Sequence, residues 1–237
     1  MNTFVLDNIP FQVDIAALMA TLHMKQDSRH AGEVLRLAQE AQSIARPKAL
    51  FKIAFIEGKD TRTVIVDGIT FTSRVLRVNL EDAQRVFPFV VTCGVELEEW
   101  SRSQGDVLHR FWAETINEMA LRVATAALHE HLEQTLRPGP TSTMNPGSLE
   151  DWPLQEQRAL FALLGDPRES VGVYLTDSLL MVPVKTISGI LFPTEESFAS
   201  CQLCPREVCP GRRAPYDPDL YDVKYRLVQP SQGSAAT

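Results

Sequence analysis

Apolar residues recur at helical spacing in some stretches of this chain and in short runs or alternation in others. DIAALMATLHM, residues 14–24, is apolar over most of a helical surface, and SRHAGEVLRLAQEAQSIA from Ser28 repeats the pattern at Val34, Leu35, Ala38, Ala41 and Ile44. Two helices are predicted, the second stopped by Pro47, since proline lacks the N–H a helix interior needs. ALFKIAF, RTVIV and ITFTSRVLRV are short β-branched or aromatic runs, and Asp67-Gly68 between the last two is a hairpin signal. Antiparallel sheet is predicted through these runs.

Asn79-Leu80-Glu81-Asp82 carries a cap residue and early acids and is expected to open a short helix, while Phe87–Thr92 reads as a buried strand ended by Cys93 and Gly94. From Asp106 to about Leu136 runs the longest helical pattern, with Phe111, Ile116, Ala120, Val123 and Leu132 near the helical period before Pro138-Gly139-Pro140 breaks it. Residues 137–152 then read as a loop. An amphipathic helix follows, with Leu160, Leu163 and Leu164 on its apolar face, Pro153 before its first turn and Gly165 at its end. The remainder reads as sheet-like pieces and irregular loops, with SQGSAAT as a disordered tail.

Helices before and after antiparallel runs, without regular strand–helix alternation, predict an α+β fold: an antiparallel twisted sheet flanked by helices. Residues 1–48 are expected to form a helical segment of the same domain, 49–200 the α+β core, and 201–237 a cysteine loop and tail.

The chain has 237 residues, enough to bury a core without disulfides or metals. Its 23 Lys and Arg against 30 Asp and Glu give a net charge of −7, which argues against a general grip on nucleic acid or anionic lipid. No apolar run reaches the roughly 18 residues of a membrane span, and MNTFVLDNIPFQVD lacks the basic start and apolar core of a signal peptide. The cytoplasm is the expected location.

Common hydrolase, NTPase and dehydrogenase motifs are absent, and His129 and His131 are two apart on a helix, the wrong spacing for a shared metal. The cysteines are more informative. Cys201, Cys204 and Cys209 form a C-x2-C-x4-C run, a spacing able to chelate zinc or an Fe–S cluster, with a fourth ligand from Cys93, another side chain, a partner or a small molecule. A redox-inert cluster of free thiols, or two cysteines that pair only on handling, reads equally well. Arg206, Arg212 and Arg213 interleave with them and would lower thiol pKa values. Upstream, Asn145-Pro146-Gly147 is a tight turn in which proline fixes one φ and glycine permits a positive one.

PGSLEDWPLQEQRALFALL, then GVYLTDSLLMVP, then KTISGILF, over residues 145–198, resembles the activation domain of cobalamin-dependent methionine synthase in a stand-alone form. The resemblance implies an α+β domain that binds S-adenosylmethionine (SAM) in a surface groove and docks over the cobalamin of a partner, where SAM remethylates an oxidised cobalt after one-electron reduction. It places candidate ligand contacts at Thr143, Pro146, Gly147, Ser148, Ser188 and Gly189.

The family pattern is Arg-x-x-Pro-Gly-Tyr, and this chain departs from it: Thr143 stands at the arginine position and Ser148 at the tyrosine position. Losing a guanidinium that grips a carboxylate removes about 1.5–3 kcal/mol, so SAM is expected to bind weakly or not at all by that route. The implied partner is a corrinoid-binding methyltransferase or a split methionine synthase, with an electron donor as a further partner. Alternatives are a non-enzymatic module that only binds a corrinoid protein, or an activator whose cysteine loop relays electrons. Bulky substitution at Gly147 or Gly189 is expected to weaken docking and leave the fold intact.

Overall fold

The computed structural model describes residues 3–25, 27–209 and 211–226, so the tail at 231–237 lies outside the described residues. Its strands are β1 (Thr3–Leu6), β2 (Lys48–Lys52), β3 (Ala54–Lys59), β4 (Thr63–Val66), β5 (Ile69–Thr72), β6 (Arg85–Thr92), β7 (Thr141–Met144), β8 (Tyr174–Leu175), β9 (Met181–Val182) and β10 (Thr186–Pro193). The helices are α1 (Ile15–Thr21), α2 (Ala31–Ile44), α3 (Arg74–Asn79), α4 (Val95–Arg102), α5 (Val107–Leu136), α6 (Gln157–Leu164) and α7 (Pro167–Val171).

β6 is the axis of an antiparallel sheet. On one side β2 pairs its second half (Leu50↔Val90) and β3 its first half (Ala54↔Val86), with only Ile53 between the two strands. β1 lies along β2, β4 along β3 and β5 along β4. On the other side β10 runs the length of β6, and β7 pairs the end of β10.

Both faces of β6 are covered, which explains why VFPFVV is almost wholly apolar. Phe87, Phe89 and Val91 cluster with Ala124, Leu128 and Leu132 of α5, while Val86 and Val90 join Trp152, Leu160 and Leu163 on the opposite face. This is the period of two expected of a strand, and burying each such side chain contributes about 1.5–3 kcal/mol. A third cluster packs α1, α2 and α4 against the first half of α5, through Leu18, Val34, Leu37, Leu97, Trp112 and Ile116. The Asp106 carboxylate caps α5, accepting from the N–H groups of Leu108 at 2.8 Å and His109 at 2.9 Å; such a cap is worth about 1 kcal/mol.

Several expectations need correcting. ITFTSRVLRV is not one strand: β5 ends at Thr72, and the Ser73 hydroxyl accepts from Leu76 N–H at 2.9 Å to start α3. A serine at the cap position outweighs the β-branched pattern after it. Asn79, expected to begin a helix, ends α3. The stretch 137–152 is not all loop, because Thr141–Met144 form β7; four residues carry too short a pattern to read. β1, α4 and α7 were not expected, and α4 starts directly after Gly94, whose φ is 98°. Among the described residues, no helix is long and apolar enough to cross a membrane.

Candidate functional site

The Asn145-Pro146-Gly147-Ser148 segment leaves the end of β7 as a turn closed by Ser148 N–H donating to Asn145 C=O at 3.1 Å. Gly147 sits at φ 84°, the positive value that a type II turn takes at its third position when proline holds the second. Its own N–H donates to Trp152 C=O at 2.8 Å, and Trp152 N–H donates back to Leu149 C=O at 3.1 Å. Trp152 is fully buried, edge-on to Phe71 with ring centroids 6.1 Å apart. The loop is thus anchored at its far end in the core.

Asp151 fixes the loop to α3. Its Oδ2 accepts from Ser73 Oγ at 2.5 Å and from Val75 N–H at 2.8 Å. Its side chain is only 8% exposed, and Oδ1 has Arg62 Nη2 at 3.6 Å but no hydrogen bond.

A recess of about 430 Å³ opens beside this loop, lined by Gly147, Ser148 and Asp151 on one wall and by Leu203, Cys204 and Pro205 on another. Tyr216 and Tyr221, 45% and 41% exposed, complete its lining. The structure therefore brings together two features far apart in the chain, the Pro-Gly turn and the start of the cysteine loop. The tyrosines were missed by sequence reading, and a YDPDLY segment offers no signal of its own.

Of the other expected contact residues, Thr143 lies within β7, paired with Leu191 on one side and bridged to Ala199 on the other. Ser188 and Gly189 belong to a strand. They lie in mid-β10 opposite Val90 and Phe89, and both are buried. A Cβ on Gly189 would stand 2.5 Å from Met144 C=O oxygen and 2.6 Å from Asn145 Nδ2, so this glycine serves close strand packing. Thr143, Pro146, Ser188 and Gly189 do not line the recess, Pro146 being buried where the turn's Gly147 and Ser148 are exposed.

The cysteine loop is held by one side chain. Arg212 donates from Nη1 to the carbonyls of Cys201 at 3.1 Å and Ala214 at 3.2 Å, and from Nη2 to those of Cys204 at 3.2 Å and Arg206. Arg213 N–H donates to Cys201 Sγ at 3.4 Å. That backbone contact holds the Cys201 thiol below its ordinary pKa, helped by Ala214 N–H and the Arg213 charge.

The expected metal set does not assemble. Among the described residues no group of three or more His, Cys, Asp or Glu side chains is gathered closely enough to hold a metal ion. Cys201, Cys204 and Cys209 are free and partly exposed, and Cys93 is buried in the helical cluster with its pKa pushed up to about 12 by that burial.

No protein-family model matches the chain, and no curated protein matches it. Among solved structures, it is similar to the crystal structure of the MetH reactivation domain bound to AdoHcy, with a TM-score of 0.57 and 15% identity over 84% of this chain and 81% of that one. The resemblance drawn from residues 145–198 is borne out in the fold: this chain is an α+β protein with the architecture of the MetH reactivation domain.

Proposed function

We propose that this protein is an accessory to a corrinoid-dependent methyltransferase, the reactivation partner of a split cobalamin-dependent methionine synthase, acting in the cytoplasm. One observation carries the reading. In the fold of a domain whose crystal structure holds AdoHcy, this chain places a recess of about 430 Å³ at its Pro-Gly turn.

The residues fit the base and the cationic end of a SAM-type ligand. Tyr216 and Tyr221 present faces on which an adenine can stack. Asp151 puts a carboxylate in the lining whose charge attracts an ammonium or sulfonium, with its buried Oδ1 facing Arg62 Nη2 at 3.6 Å. Gly147 and Ser148 line the recess, and the Ser148 hydroxyl is a polar group available to a ligand there. For the ligand's carboxylate, the arginine of the family pattern is replaced by Thr143, which lies in β7 away from the recess. Bound SAM would supply the methyl group that restores the partner's cobalt once an electron donor has reduced it. The chain's own part is to hold the ligand, exclude water from it and present it. Exposed Tyr216 and Tyr221 at the recess offer apolar area for docking.

The missing guanidinium favours a second reading, in which the protein docks on a corrinoid protein without using SAM. An anaerobic pull-down against the corrinoid proteins of the source cell, with and without SAM, tests both. Capture that SAM strengthens supports the first, capture indifferent to SAM the second, and no capture overturns both.

A further inference from the structure

Three cysteines within nine residues need a role that a shared metal does not provide. Ser200–Leu203 form a 3-10 turn, and Cys204 N–H closes it on Cys201 C=O at 3.3 Å. Cys201 and Cys204 are therefore at positions i and i+3 of that turn. Three residues at about 2.0 Å rise separate the Cα atoms by about 6 Å, and Cys204, extended at φ −97° and ψ 113°, is the first residue past the turn. A disulfide spans Cα atoms about 4.4–6.8 Å apart.

The surroundings favour exchange rather than inert packing. Arg213 N–H points at Cys201 Sγ from 3.4 Å, a contact that stabilises a thiolate. Arg212 ties the carbonyls of both Cys201 and Cys204, so the turn keeps its shape whether or not the sulfurs are joined. Both thiols are partly exposed. Cys209 lies beyond Pro205 and the exposed stretch 205–208, outside the turn.

We propose that Cys201 and Cys204 are a reversible dithiol–disulfide pair beside the recess, with Cys201 as the attacking thiolate. The oxidant is a low-molecular-weight disulfide. Cys201 attacks one of its sulfurs, that sulfur–sulfur bond breaks, and a small thiolate departs. Cys204 then attacks the Cys201 sulfur of the mixed disulfide, forming the internal bond and expelling the second small thiolate. The pair loses two protons and two electrons, and the electrons reduce the small disulfide to two thiols. Cys204 lines the recess, so joining it to Cys201 alters that wall. What ligand feels the change rests on the proposed function, but the pair itself does not.

Oxidised glutathione added to the reduced full chain, followed by alkylation and peptide mapping, tests the pair without any SAM or corrinoid readout. The expected product is a Cys201–Cys204 linkage with Cys209 alkylated. Cys204→Ser should retain glutathione on Cys201, and Cys201→Ser should slow mixed-disulfide formation about ten-fold. Linkage through Cys209 instead, or full alkylation of wild-type Cys201 and Cys204 after an excess that oxidises a control dithiol, would overturn the proposal. So would zinc or iron bound stoichiometrically to these thiols. Should the serine variants fail to fold, the wild-type map decides alone.

Discussion

The side-chain amide of Asn145 donates to the backbone carbonyl of Ser188 at 2.7 Å. This contact ties the residue before the Pro-Gly turn to the middle of β10. It is feasible because Gly189, next along that strand, carries no Cβ to hold the two segments apart. The recess is therefore positioned by the sheet and does not depend on the loop alone.

Asn145→Ala should destabilise the fold by about 1 kcal/mol, the net worth of one such hydrogen bond. For a domain of this size that is a fall in Tm of about 2–4 °C. Asn145→Asp also loses the donor and should do no better. Thermal and urea unfolding of both variants check this, and an unchanged Tm for either refutes it.

Gly189→Ala should cost more, about 1–3 kcal/mol, because its Cβ would meet backbone oxygen at 2.5 Å. Gly147→Ala, at φ 84° and with its Cβ 2.9 Å from Leu154 Cδ1, the movable end of a side chain and not backbone, should cost about 1–2 kcal/mol. The two glycines are thus not equivalent docking positions. Substitution at Gly189 tests the sheet, and only Gly147 reports on the recess, which corrects the sequence expectation. Urea unfolding that ranks Gly147→Ala as the more damaging variant contradicts this assignment.

If the recess binds SAM through its aromatic wall, Tyr221→Ala should weaken binding by about 0.5–1.5 kcal/mol. Stability should change little, because that ring is 41% exposed. Calorimetric titration with SAM, alongside a melting curve, separates the two effects. Equal affinity for variant and wild type places the ligand elsewhere.

Burial raises the Cys93 thiol from 9.0 to about 12. The folded state therefore holds a proton that the unfolded chain releases first. The stabilisation is fully present below pH 9 and is lost progressively as pH rises towards 12. Urea midpoints measured across that window should fall for wild type and fall less for Cys93→Val. Identical slopes would remove Cys93 from the account.

Much of the fold was legible because its elements are long or strongly patterned. The 106–136 helix carries a cap residue at one end and Pro138 at the other, and β6 is apolar because both of its faces are buried. Short elements were misread where one polar residue decides the local structure, as Ser73 does between β5 and α3. The turn at 145–148 was also visible, since proline and glycine dictate backbone angles locally. Which side chains meet was not. Ser188 and Gly189, adjacent in the family-like motif, lie buried in β10, whereas Ser148, Cys204 and Tyr221, spread over more than seventy residues, line one recess. The sequence by itself determined the α+β class, the main helices, the tight turn and the cysteine spacing, because each follows from periodicity or backbone restriction within a few residues. The recess and the separation of Cys93 from the cysteine loop came only with the tertiary structure. Those depend on strand register and on where distant segments pack, which no local pattern encodes.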